Sequence, residues 1–117
     1  MYSCLLISPS GAAMLREKAE KLGLMPEGWD VKCHHLTLEM GKGDYPWGET
    51  KEIEIVAYGK TEGKVTAFKA KCSDSKNKTP HITVAVGPGT KPVASNFIEE
   101  WVSLLPFTVQ GEFYLAE

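Results

Sequence analysis

The apolar residues of this chain come in short runs, most of them alternating and most of them bounded by glycine or proline, and this punctuation restricts the fold more than any other feature. Tyr2 to Ile7 is stopped by Ser8-Pro9-Ser10-Gly11, and Val31 to Met40 by the Gly41-to-Gly48 loop. Glu52 to Tyr58 and Lys64 to Lys71 flank a Gly-containing turn at Gly59 to Gly63, and His81 to Val86 is closed by Gly87-Pro88-Gly89. Runs of this length with period two are strands, and the middle pair reads as an antiparallel hairpin. Phe107 to Ala116 is expected to form a last strand.

Two segments carry helical spacing instead. Ala12, Leu15, Ala19 and Leu22 recur on one face between a cap at Ser10 and a stop at Gly23. Further on, Asn96 and Glu99 resemble a capping box ahead of the stripe Phe97, Ile98, Trp101, Leu104 and Leu105, which Pro106 ends. That stripe is expected to be core. The order strand, helix, four strands, helix, strand predicts an α+β fold of mostly antiparallel pairing over residues 1–117 as one domain, with two βα segments related by a pseudo-twofold axis.

Several classes of protein are disfavoured at this point. No apolar run reaches the roughly 18 to 20 residues of a membrane span, and the N-terminal stretch is too short for a secretory signal, so an intracellular, cytoplasmic monomer with no membrane partner is expected. Cys4, Cys33 and Cys72 have neither disulfide nor zinc-knuckle spacing and are expected to be reduced thiols. The net charge of −2 hides an asymmetry: six lysines between Lys60 and Lys78 face two acids, leaving +4 there and −6 elsewhere. A protein gripping long nucleic acid through many phosphates is usually more basic than this, which favours a small or terminal phosphate as substrate.

Side chains on a strand alternate faces. In His35-Leu36-Thr37-Leu38 the imidazole and the hydroxyl therefore share one face, while Leu36, Leu38 and Met40 share the other. His81-Ile82-Thr83-Val84 repeats the pattern, with His81 and Thr83 opposite Ile82, Val84 and Val86. Strands lying side by side would bring two imidazoles and two hydroxyls into one cleft. Cleaving a phosphodiester takes a proton from an attacking water and delivers another to the leaving oxygen, and histidine suits both tasks near neutrality. Threonine hydroxyls donate to the non-bridging oxygens as charge develops there. No metal or other cofactor is needed, and His34, expected on the face opposite His35, is left out of the catalytic set.

These paired His-x-Thr-x motifs, His35-Leu36-Thr37-Leu38 and His81-Ile82-Thr83-Val84, resemble those of the two-histidine (2H) phosphoesterase superfamily, which includes the LigT-like RNA cyclic phosphodiesterases. The resemblance implies a compact bilobal fold with two helices and a central cleft. It also implies a metal-independent hydrolase of the RNA-repair type, with His35 and His81 catalytic and Thr37 and Thr83 holding phosphate. A 2′,3′-cyclic phosphate at an RNA terminus is the first substrate expected. Cyclic or 2′,5′-linked oligonucleotide signals are an alternative, as is a non-catalytic module that binds a nucleotide or RNA end. Only 46 positions separate the two histidines, so the lobes would be trimmed. Outside the motifs, Tyr45 and Trp47 are candidates for stacking on a base, and Lys91, after Gly87-Pro88-Gly89-Thr90, for meeting a phosphate.

Overall fold

A computed structural model describes all 117 residues. In chain order the elements are β1 (Tyr2–Ile7), α1 (Pro9–Lys21), β2 (Asp30–Val31), β3 (His35–Met40), β4 (Thr50–Thr61), β5 (Val65–Lys71), β6 (His81–Val86), a 3-10 helix (Pro92–Phe97) and β7 (Trp101–Ala116). Every strand pairing is antiparallel. Neighbours run β6-β3-β1-β7-β4-β5, and β5 pairs again with β6, so six strands close a ring and leave little free edge. The fold is α+β and antiparallel, as the short alternating runs require.

The ring encloses one principal core. Leu36 and Leu38 of β3, Ile82 and Val84 of β6, Ile53 and Ile55 of β4, and Phe68 of β5 are all fully buried in it. α1 adds Leu15 and Ala19 from its apolar face. Its cap is Ser8 rather than Ser10: the Ser8 hydroxyl accepts from the Gly11 amide, and Pro9 takes the first helical position, where a missing N–H costs nothing. Gly23, at φ 71°, ends the helix as its sequence position implies. Cys4 and Cys33 are buried and Cys72 half-buried, and all three are free thiols. No helix is long and apolar enough to cross a membrane.

The second long helix does not form. Residues 92–97 make only a 3-10 turn, and from Trp101 the chain runs as a 16-residue strand. The i, i+3, i+4 spacing of the stripe competes there with the twelve residues of β4, which offer a pairing partner along most of their length: Gly59 faces Trp101, Tyr58 faces Val102 and Ala57 faces Ser103. Pro106 falls in the register shift between the Ala57 and Ile55 pairings, where a missing N–H breaks no ladder bond. The stripe is not a core face either, since Phe97 is 75% and Leu105 90% exposed, with only Ile98 buried. Without that helix the expected twofold relation between two βα units is reduced to the two motif strands, and a single principal core replaces a division into lobes.

Candidate active site

β3 and β6 are neighbours, paired antiparallel at Leu36 and Ile82. Both of these leucine and isoleucine side chains point into the core, so the alternating positions His35, Thr37, His81 and Thr83 stand on the outer face of the ring wall. Antiparallel register about that pair sets each motif's histidine beside the other motif's threonine, His81 across from Thr37 and His35 near Thr83. All four line one cleft of about 710 Å³, whose far wall is the 3-10 helix through Pro92, Val93 and Asn96.

The strand carrying the first motif is interrupted. β2 pairs with β6 two register steps away from the β3 pairing: Val31 faces Ala85, whereas Leu36 faces Ile82. The excess residues are absorbed around Cys33, which is buried and adopts a left-handed φ of 48°, a conformation uncommon for a residue other than glycine. The Cys33 amide still donates to the Thr83 carbonyl at 3.0 Å. This bulge turns His34 to the cleft side, contrary to the expectation of simple alternation. His34 lines the cleft, and its Nδ1 lies 2.9 Å from Nδ1 of His35, so one ring donates to the other.

The two motif histidines have different surroundings. His81 Nδ1 donates to the Thr79 carbonyl oxygen at 2.8 Å, and because a carbonyl only accepts, the proton is fixed on Nδ1 and Nε2 is left for the cleft. His35 is packed beneath the Tyr2 ring at 5.3 Å between centroids. Burial pushes its pKa down to about 4, reinforced by the positive charges that His34 and then His81 would carry. It is therefore neutral at physiological pH. The threonines differ too: the Thr83 hydroxyl is 2.7 Å from the hydroxyl of the buried Ser95 in the 3-10 helix, whereas no side chain holds the Thr37 hydroxyl.

The 72–78 loop fixes the opposite rim. The Ser75 hydroxyl donates to the Thr37 carbonyl at 2.8 Å, the Lys76 amide to the Leu38 carbonyl at 2.6 Å, and Lys51 is paired with Asp74. These ties present Asn77 to the cleft.

Three residues singled out in the sequence lie outside it. Tyr45 stacks on Phe113 of β7 at 5.9 Å and donates to the Asp74 carbonyl, and Trp47 packs edge-on against Tyr45, so neither ring lines the cleft. Lys91 precedes the 3-10 helix and is exposed, but does not line the cleft although Pro92 does. The residues found in their place are Tyr2, Lys32, His34, Asn77 and Asn96, together with Ser95 behind Thr83. None of these stands in a repeated motif. Ser95 and Asn96 are hidden because their segment reads as the start of a helix, and Tyr2 because only the long-range pairing of β1 with β3 brings its ring beside His35.

No group of three or more histidine, cysteine, aspartate or glutamate side chains gathers at a metal-binding spacing anywhere in the chain. No family model, curated protein or solved structure matches this chain.

Proposed function

We propose that this chain is a metal-independent phosphodiesterase of the 2H type, acting on a nucleotide phosphodiester. The observation that carries the reading is the pairing of Leu36 with Ile82, which joins two motifs 46 positions apart into one wall bearing two imidazoles and two hydroxyls. A closed antiparallel ring with the motif strands adjacent is compatible with a trimmed member of that superfamily.

The different settings of the histidines support different roles. His35, neutral well into the acid range, is the base: with Nδ1–H donating to His34, its bare Nε2 takes a proton from water as the water oxygen attacks phosphorus. His81 is the acid: held by Thr79 through Nδ1, its Nε2–H passes a proton to the leaving oxygen as the P–O bond breaks. Thr37 and Thr83 donate to the non-bridging oxygens, Thr83 with its orientation set by Ser95. The next turnover begins once a proton is returned from His35 to His81 through solvent.

The first test is hydrolysis of an RNA oligonucleotide ending in a 2′,3′-cyclic phosphate, in excess EDTA, by wild type, His35→Ala and His81→Ala. Turnover by wild type that falls by about 10²- to 10⁴-fold in each variant is expected. Turnover that EDTA abolishes, or that survives in both variants, would refute the two-histidine reaction.

A further inference from the structure

A second hollow, of about 500 Å³, lies on the other side of His81. It shares Asn77, His81 and Asn96 with the main cleft and is otherwise lined by residues 78–79, by Ser95 of the 3-10 helix, by Ile98 and Glu99 after it and by the start of β7, so the two depressions meet at the imidazole assigned as acid. Its floor includes the half-buried indole of Trp101. That ring is a held platform. Trp101 packs against the small core of Val65, Ala67, Val86 and Ile98, and it lies over its register partner Gly59 so closely that a Cβ there would sit 2.8 Å from the indole. Lys78 at the rim makes no ion pair, and Asn96 and Glu99 offer polar groups beside the ring.

From this geometry we propose that the second hollow is a subsite for a nucleoside carried on the leaving oxygen, with its base stacked on Trp101. The inference rests on the phosphodiesterase reading and narrows it. The group on the oxygen that His81 protonates must lie on the His81 side of phosphorus, because attacking and leaving oxygens are in line across it. In a terminal 2′,3′-cyclic phosphate the leaving oxygen belongs to the same ribose that stays bound, and nothing separate departs. A hollow with an aromatic floor on the leaving side therefore fits an internal linkage between two nucleosides. Tyr2 over His35 supplies the corresponding ring in the main cleft, giving one aromatic to each arm. An aromatic face tolerates any base, so the subsite selects for the presence of a leaving nucleoside more than for its identity.

The test compares two substrates with the same number of nucleosides: a 2′,5′-linked diadenylate, cleaved between them, and a diadenylate ending in a 2′,3′-cyclic phosphate, opened at its end. Trp101→Ala should lower kcat/KM for the internal linkage about tenfold more than for the terminal one, the scale of one lost base stack, mostly through KM, and Trp101→Phe should restore much of it. Thermal unfolding of both variants controls for the lost packing. An equal loss on both substrates places the Trp101-dependent nucleoside elsewhere, and no loss on either leaves the hollow unused; both results overturn the subsite. Should wild type cleave neither, the phosphodiesterase reading fails, and calorimetric binding of the 2′,5′-linked diadenylate then decides the subsite separately. Binding that Trp101→Ala weakens would uphold it, and no binding would end it.

Discussion

The two His-x-Thr strands are alike in sequence and unlike in support. β6 is continuous from His81 to Val86, flanked on both sides, with its histidine held by a backbone carbonyl and its threonine by a buried serine. β3 begins only at His35, after a bulge at Cys33, and its histidine is held by a second titratable ring while its threonine is free of side-chain partners. A carbonyl cannot change its protonation, whereas His34 can. The difference teaches that a repeated motif fixes which groups meet, and the non-repeated neighbours decide how each copy is held: a carbonyl acceptor fixes the tautomer of one ring, and a buried setting beside another histidine favours the neutral form of the other.

The largest expected effect tests that division of labour directly. On a diester with a nucleoside leaving group, His81→Ala and His35→Ala should each lose about 10²- to 10⁴-fold in kcat. On a p-nitrophenyl phosphodiester, whose leaving oxygen departs without protonation, most of the His81→Ala loss should vanish while the His35→Ala loss stays. Rescue of the His35 variant instead would reverse the two roles.

The threonines should separate in stability more than in turnover. Either Thr→Ala change removes one donor to the developing charge, a loss of about 10²-fold in kcat. Thr83→Ala also leaves the buried Ser95 hydroxyl without its partner, which costs about 1–3 kcal/mol in unfolding free energy, whereas Thr37→Ala, with no such partner, should unfold like wild type. Equal denaturation midpoints for the two variants would show that Ser95 finds another partner and that the contrast between the threonines is superficial.

A smaller effect lies in the dependence of stability on pH. His35 binds its proton near pH 4 when folded and near its ordinary 6.5 when unfolded. Between those values the unfolded chain holds more protons, so the contribution is complete above about pH 6.5 and is lost as pH falls toward 4. Urea midpoints should decline across that window, and His35→Gln should decline less steeply than wild type. Parallel curves would mean that the burial of His35 does not depress its pKa, and would remove the reason for making it the base.

How much of this was legible beforehand follows from the range over which each signal acts. The strands holding Leu36, Leu38, Ile82 and Val84 were readable because period-two alternation is local and both faces are specified, one by burial and the other by chemistry. The stretch from Trp101 to Leu105 has a spacing that suits a helix, and only the long facing β4 decides for a strand. Tertiary pairing commonly overrides such a preference. The placing of His34 differs for a similar reason: alternation holds only where the strand is regular, and the bulge at Cys33 depends on the register that β6 imposes on β2 and β3. Tyr45 and Trp47 sit in a glycine-rich loop that reads as exposed, but Phe113 of the last strand supplies a partner no local pattern reveals.

The smallest expected effect bears on His34, where the contrast between the motifs originates. Burial is the leading cause of the low His35 pKa and the charge of His34 the next, so removing His34 should raise that pKa without restoring it to 6.5. The acid limb of kcat/KM, which reports the free enzyme's base, should accordingly move up from about 4 in His34→Ala yet stay below 6.5. His34→Asn separates charge from hydrogen bonding. Its amide oxygen accepts from His35 Nδ1 and keeps Nε2 bare, so its limb should shift as in the alanine variant while its plateau rate remains nearer wild type. A plateau lost equally in both variants would mean that His34 matters by its shape in the bulge. An unmoved limb in both would mean that the two rings do not share a proton, and that His35, like His81, is oriented by the fold alone.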